Sequence, residues 1–284
     1  DSRARWAHAP NAISIHLAPL GDDETDTLID SRLRGSILPA ETRQRIKDAA
    51  EGNPLFVEQI LAMSAEASDF SVPPTIHALL AARLDLLGDA ERTILERASI
   101  VGRSFSWDAV RELTPPELRP GLTEHLLGLV RKELLAPESG AGAEHGFRFG
   151  HILIRDAAYG ALLKKVRADL HEQFAVWMGS QPGEFDEIVG YHYEQAFRYL
   201  EQLGSVDEHA RGLAARAGTR LGHAGRRAHS RGDTPAAANL LERACSLLPA
   251  STHEGLALLP ELGRVLTEIG SLDRAEEVLT NAVN

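Results

Sequence analysis

Gly225-Arg226-Arg227-Ala228-His229-Ser230-Arg231-Gly232-Asp233-Thr234-Pro235-Ala236-Ala237, continued to Leu241 and Ala244, is the stretch that decides the fold. Its small and apolar positions return further along. Gly225, Gly232, Ala237, Leu241 and Ala244 recur as Gly263, Gly270, Ala275, Leu279 and Ala282, each offset by 38 positions. Small residues at such spacing stand where paired helices touch, and a glycine between them serves the turn. One helix pair cannot bury its apolar face alone, so such units stack on one another.

The spacing inside each unit matches the tetratricopeptide pattern, including a proline, Pro249, after the second helix. The usual period is ~34 residues, and an insertion near Ser251-Thr252-His253-Glu254 accommodates the excess. Because a solenoid needs three or more repeats, the helices around Ile188 to Leu203 are expected to supply the N-terminal part. The chain stops at Asn284 without an obvious polar cap, and Asp1 to Pro10 read like the middle of something. Both features lead us to expect a fragment or a processed form of a longer protein.

Upstream of the repeats the period changes. Thr75 caps a helix with the stripe Ile76, Leu79, Leu80, Leu84 and Leu87. Gly88-Asp89 breaks it, and Ile94, Leu95, Ala98 and Val101 line the next helix. Trp107, Val110 and Leu113 suit a short helix, and Pro115-Pro116 starts another with Leu122, Leu126, Leu129 and Val130. Leu134-Leu135-Ala136 and Phe147-Arg148-Phe149 then read as two strands joined by glycine-rich Ser139-Gly140-Ala141-Gly142. Helices followed by a small hairpin are the order of a winged helix.

The N-terminal part is a short strand and three helices. Ile13, Ile15 and Leu17 alternate on one side of a strand closed by Pro19, with an edge whose sheet partners lie elsewhere. Gly21-Asp22-Asp23-Glu24 opens a helix with acidic residues at the positive end of its dipole. Pro39 starts a second, with Ile46 and Ala50 inward. Gly52-Asn53-Pro54-Leu55-Phe56 starts a third, with Asn53 as cap and Pro54 at the first helical position. Val72-Pro73-Pro74 marks a linker.

The 284 residues carry a formal charge of −11 with pI near 5.6, which argues against wholesale binding to nucleic acid or anionic membrane. The single cysteine, Cys245, excludes an internal disulfide and a zinc site built on paired cysteines. It sits on a packed helix with no electropositive neighbours, which argues against a reactive thiol. No apolar run approaches the ~20 residues of a membrane span, and no signal pattern opens the chain. The expectation is a soluble cytoplasmic protein. No G-x-x-x-x-G-K-[ST] loop, H-E-x-x-H or G-x-S-x-G occurs, so this chain alone is not expected to be an enzyme.

In order and spacing these motifs resemble the STAND class of P-loop ATPases, the signal-transducing ATPases with numerous domains. Within it the similarity is to large bacterial regulators that join this ATPase to adenylate-cyclase or LuxR-type output domains. Ala12 to Leu20 resembles the last stretch before the family's helical lid, and Gly52-Asn53-Pro54-Leu55-Phe56 its G-x-P motif. Val72 to Thr75, Ala82-Arg83-Leu84 and Ala98 to Phe105 resemble the start of its winged helix, and Phe147 to Tyr159 the end. Tyr191-His192-Tyr193-Glu194-Gln195-Ala196 is similar to the segment that begins the repeats.

The resemblance implies specific roles. Pro54, with Gly52 and Asn53 beside it, would contact the adenine of bound ATP or ADP; the plain alternative is a helix-start proline. His151 stands where the family's Met-His-Asp motif places a histidine against the ADP phosphate. Gly150 replaces its methionine and Ile152 its aspartate; the plain alternative is a histidine capping a helix or packing under the wing. The P-loop, the Walker B carboxylates and the magnesium ligands would lie in an ATPase core upstream of Asp1. A protein or small-molecule inducer would act on the repeats.

Two further surfaces have two readings each. The segment from Ser106 to Leu113, where a DNA-reading helix would lie, has Arg111 as its only basic residue beside Asp108 and Glu112, which favours a structural role. Arg211, Arg216, Arg220, Arg226, Arg227 and Arg231 make either a groove for an acidic peptide or a solvated face. Trp107, Trp177, Phe105, Phe147 and Phe149 are expected in the core.

The expected fold is mainly α: a strand remnant over 1–20, a helical lid over 21–71, a winged-helix domain over 72–180 and a tetratricopeptide-like superhelix over 181–284. The expected function is the regulatory part of an ATP/ADP-controlled switch, in a transcriptional or cyclic-nucleotide signalling regulator. The alternatives are a helical-repeat adaptor that never meets a nucleotide and, last, a winged-helix DNA binder.

Overall fold

The computed structural model describes residues 18–33, 38–66, 75–138, 146–249 and 252–283, so the strand expected at Ile13 to Leu17 lies outside it. The chain divides into two compact units between Leu87 and Gly88.

The first unit contains helices α1 (Asp22–Leu33), α2 (Ala40–Ala50), α3 (Pro54–Glu66) and α4 (Ile76–Asp85). Capping chemistry sets their starts. Glu24 accepts the Gly21 N–H at 2.8 Å, and Thr75 Oγ1 accepts the Ala78 N–H at 3.1 Å. Between α2 and α3 the backbone turns through two consecutive left-handed residues, Glu51 (φ 46°) and Gly52 (φ 73°). Ile29, Ile46, Phe56, Val57, Ile60 and Leu79 form the core. Leu79 belongs to α4, which the sequence reading assigned to the winged helix beginning at residue 72. Leu79 is buried with the core of this first unit, which runs to Leu87.

The second unit opens with a winged helix: α5 (Asp89–Val101), β1 (Ser104–Ser106), α6 (Trp107–Leu113), α7 (Leu122–Arg131), β2 (Leu135–Glu138), β3 (Gly146–Phe149) and α8 (Ile152–Ala161). The helix expected from Pro115 is in fact a 3-10 turn, Pro116–Gly121, followed by α7. Pro120 has no N–H to donate and clashes with a preceding helical carbonyl, so the α-helix begins after it. The hairpin β2–β3 gains β1 on its other side, in the antiparallel order β1-β3-β2, with Phe105 opposite Phe147 and Leu135 opposite Phe149.

Phe105 and Phe149 are buried in edge contact, 5.6 Å between ring centroids. Phe147, Trp107 and Trp177 are only half-buried, contrary to expectation. The Trp107 indole N–H donates to Thr123 Oγ1 at 3.2 Å. A polar handle of this kind suits a ring with one end apolar and one end wet.

Three helix pairs follow: α9 (Lys164–Ser180) with α10 (Asp186–Gln202), α11 (Glu208–Ser230) with α12 (Thr234–Leu247), and α13 (His253–Glu268) with α14 (Leu272–Val283). They form a tetratricopeptide-like α-superhelix with one continuous core. Gly232 illustrates its turns. It is left-handed (φ 80°) just past α11, so its N–H reaches the His229 carbonyl and the Asp233 N–H the Ala228 carbonyl.

The sequence reading put α9 in the winged-helix domain. The structure shares it: Ala168 and Ala175 enter the core of the repeats, while Leu170 and Phe174 join Ile100, Leu113 and Leu162 of the winged helix. Among the described residues no helix is long and apolar enough to cross a membrane.

Candidate functional site

Gly52, Asn53 and Pro54 occupy the corner between α2 and α3. Asn53 Oδ1 accepts the N–H groups of Leu55 at 3.0 Å and Phe56 at 3.3 Å, so these helix-end donors are already used. The Gly52 carbonyl accepts the Leu20 N–H at 2.9 Å. A Cβ on Gly52 would lie 2.5 Å from the Leu20 carbonyl oxygen and 2.8 Å from Pro19 Cβ. The bare α-carbon therefore makes room for the Pro19–Leu20 backbone rather than for a ligand. Pro54, at the first position of α3, stays exposed and presents an apolar ring to solvent.

His151 caps α8 in the second unit, with an extended backbone (φ −145°, ψ 152°) and Nδ1 accepting the Leu153 N–H at 3.2 Å. An accepting Nδ1 in a neutral ring puts the hydrogen on Nε2, which is left as a donor. Gly150 donates its N–H to the Leu134 carbonyl at 3.0 Å, and a Cβ on it would approach the Glu133 carbonyl oxygen to 2.9 Å. That tight approach to backbone leaves little room for a side chain immediately before His151. Gly150→Met is expected to lower stability by about 1 kcal/mol, read as a lower denaturant midpoint, because the carbonyl cannot swing away as a side chain would.

A third group of residues was only partly visible in the sequence. Tyr159 of α8, His171 of α9, and His192 and Tyr199 of α10 meet where the winged helix joins the first helix pair. His171 is 0% and His192 2% exposed. Tyr159 Oη lies 2.7 Å from Tyr199 Oη and 2.8 Å from His171 Nε2, and His171 Nδ1 lies 2.8 Å from His192 Nδ1. Arg167 Nη1 reaches Tyr199 Oη at 3.5 Å, and the Arg155 and Arg167 guanidinium groups lie 4.6 and 4.7 Å from the Tyr159 ring centre.

A guanidinium only donates, so Arg167 is a donor to Tyr199 Oη; beyond it Tyr159 Oη links Tyr199 to His171 Nε2, and one of the facing Nδ1 atoms of His171 and His192 donates to the other. Burial pushes both histidines down, His171 well below its ordinary range and His192 to about 3. His192, Arg155 and Arg167 add to the shift at His171, and Arg155 adds to it at His192. Burial, then the Tyr199 hydrogen bond, raises the Tyr159 hydroxyl. The run Tyr191-His192-Tyr193 singled out one member; the rest come from three helices and share no local spacing.

The arginine run of α11 is a solvated face only in part: Arg211 and Arg231 are exposed, while others are paired across helices. Arg220 and Arg227 donate to the two oxygens of Asp186 on α10, at 2.7 and 2.5 Å. Arg226 donates to Glu261 on α13 at 2.8 Å, and Arg216 stands 3.9 Å from Glu172 on α9. The charges tie neighbouring helices together. Between α11 and α13 lies a cleft of about 230 Å³, lined by Thr219, His223, Arg226, His253, Glu254 and Leu258 among others. Cys245 is half-buried, and burial, then Glu261 and Glu242, push its thiol up to about 11, the opposite of an activated nucleophile.

No family model matches the chain. It is 28% identical, over an alignment of 302 residues, to an uncharacterized protein of Rhizobium meliloti (strain 1021), with 96% of this chain and 27% of that protein covered. The chain thus spans about a quarter of the length of the curated relative it matches. Among solved structures it is similar to a Signal Transduction ATPase with Numerous Domains (STAND) protein with a tetratricopeptide repeat sensor from Pyrococcus horikoshii. That similarity has 16% identity and a TM-score of 0.42, over 94% of this chain and 41% of that one.

Proposed function

We propose that this chain is the regulatory segment of an ATP/ADP-controlled switch of the STAND class. The observation that carries this reading is the order of its parts: a helical module with an exposed proline at a helix start, a winged helix whose last helix is capped by a half-buried histidine, then stacked helix pairs. In this reading Pro54 packs on the adenine and His151 Nε2–H donates to a phosphate. Gly52, whose carbonyl accepts from Leu20, and Asn53, whose side-chain oxygen caps α3, position Pro54. The bound nucleotide supplies the anionic and aromatic surfaces that these residues recognise. The magnesium ligands and the P-loop belong to an ATPase core outside this sequence.

A switch needs contacts that differ between two states, since a ligand that binds both equally shifts nothing. Pro54 and His151 are the candidates for those contacts. The cleft between α11 and α13 is the place we assign to an inducer. The winged helix takes a structural part: Arg111, the one basic residue of α6, lies over the Trp107 ring at 5.6 Å. The output we propose is transcriptional or cyclic-nucleotide signalling, in the cytoplasm.

The test is ADP retention by the longer protein that contains the core. Pro54→Ala is expected to weaken it about tenfold, a loss of about 1.4 kcal/mol, with an unchanged melting temperature. Unchanged affinity in a folded variant would favour the second reading, a helical-repeat adaptor. That reading draws on one observation: helix capping alone accounts for both Asn53 and His151.

A further inference from the structure

The tyrosine–histidine chain joins parts that the proposed nucleotide contacts do not involve. Tyr159 belongs to the winged helix, and His171, His192 and Tyr199 to the first helix pair. We propose that the His171–His192 pair is an acid-released latch between α9 and α10, at the joint where Tyr159 of the winged helix docks on the first helix pair. The latch is closed while the two facing Nδ1 atoms share one hydrogen and opened when each imidazole carries its own.

The geometry sets this behaviour. At 2.8 Å with both rings buried, one Nδ1 must donate and the other accept. A second hydrogen at that contact turns a bond into two donors facing each other. His171 cannot turn its other nitrogen to relieve this, because Nε2 is held 2.8 Å from Tyr159 Oη. Added charge finds no partner either.

Facing the pair are Arg155 and Tyr159 from α8, Arg167 and Phe174 from α9, and Tyr191 and Tyr199 from α10, with Glu194 acting on Tyr191 rather than on the pair. Glu194 is held by Arg243 of α12 at 2.6 Å, and Asp156 by Arg155 at 3.0 Å. Among the described residues no carboxylate bonds either imidazole. Two arginines stand over the Tyr159 end, so protons entering the joint raise a charge that is already positive. Acid is thereby directed to the α9–α10 contact and the α8 residues docked on it rather than to the repeats beyond.

The test is hydrogen exchange on the full chain, corrected for intrinsic rates, from about pH 7.5 to about pH 5. Below the ordinary histidine value, each proton taken up on opening raises the open fraction tenfold per pH unit, so the native pair approaches a hundredfold. The expected result is loss of protection in α8 and the facing ends of α9 and α10, while α11 and α12 keep theirs. His192→Asn places an amide where Nδ1 stood and does not titrate, so its response should fall to about tenfold per unit.

The same acid response in both proteins, or a uniform loss over the whole chain, overturns the latch. If the variant fails to fold, nitrogen NMR of the native chain decides. A coupling across the Nδ1–H–Nδ1 bond at neutral pH supports the latch. Two histidines titrating independently at their ordinary values overturn it.

Discussion

Asp186→Ala is expected to cost the folded chain about 2 to 3 kcal/mol at neutral pH, seen as a lower denaturant midpoint at unchanged slope. Asp186 is 9% exposed at the first position of α10, and each of its oxygens accepts from an arginine of α11. Arg220 and Arg227 stand two turns apart on one face of their helix, so one carboxylate fastens two points of α11 to the start of α10. Hydrogen bonds to charged groups are the stronger kind, and the carboxylate also meets the positive end of the α10 dipole. Two such bonds would promise more, but the arginine side chains are 43% and 30% exposed and regain water when released.

The pH dependence fixes the sign. Burial alone would raise the Asp186 carboxyl, but the hydrogen bonds from Arg220 and Arg227 outweigh it and hold the group below its ordinary 3.8. A folded value below the unfolded one means stability present above the ordinary value and lost as pH falls through the folded one. The gap between native chain and variant should therefore be full at neutral pH and close in strong acid. A variant as stable as the native chain at neutral pH would mean that solvent screening cancels the clamp.

The same clamp shows how far the sequence could be read. The arginine run was plain, but its meaning depended on Asp186, Glu172 and Glu261, which lie on other helices, and charge patterning along one helix carries no information about them. Asn53, Thr75 and the start of α3 were legible because capping is local: donor and acceptor lie within three residues. The helix pairs were legible because their small residues recur. Strand β1 was not, since three residues cannot display a period, and the 3-10 turn at Pro116 was not, since Pro120 decides where α7 begins. At the candidate site, the sequence marked Pro54 and His151. The structure adds what each one's groups already do: the Pro54 ring is free, while His151 keeps only Nε2 for a ligand. The histidine joint depends on three helices meeting, so no local pattern announced it.

Gly225 and Gly263 hold the same place in successive repeats, yet leucine is expected to be tolerated at only one of them. A Cβ on Gly225 would lie 2.8 Å from Leu241 Cγ, and one on Gly263 2.5 Å from Leu279 Cδ2. Ranked by distance alone, Gly263 is the worse site. Burial reverses the order. Leu241 is 1% exposed and shut in by the core it shares with Leu258 and Leu262, so it has nowhere to move. Leu279 is 39% exposed and can rotate into solvent. Replacing a mid-helix glycine gains about 1 kcal/mol of helix propensity at either site. Overpacking that cannot relax costs up to about 3 kcal/mol, and overpacking that can relax costs far less. Gly225→Leu should therefore lower stability by about 2 kcal/mol, while Gly263→Leu should stay within about 0.5 kcal/mol of the native chain, both read from denaturant midpoints. The opposite ranking would show that Leu279 is as confined in solution as Leu241, which requires something to cover the outer face of α14.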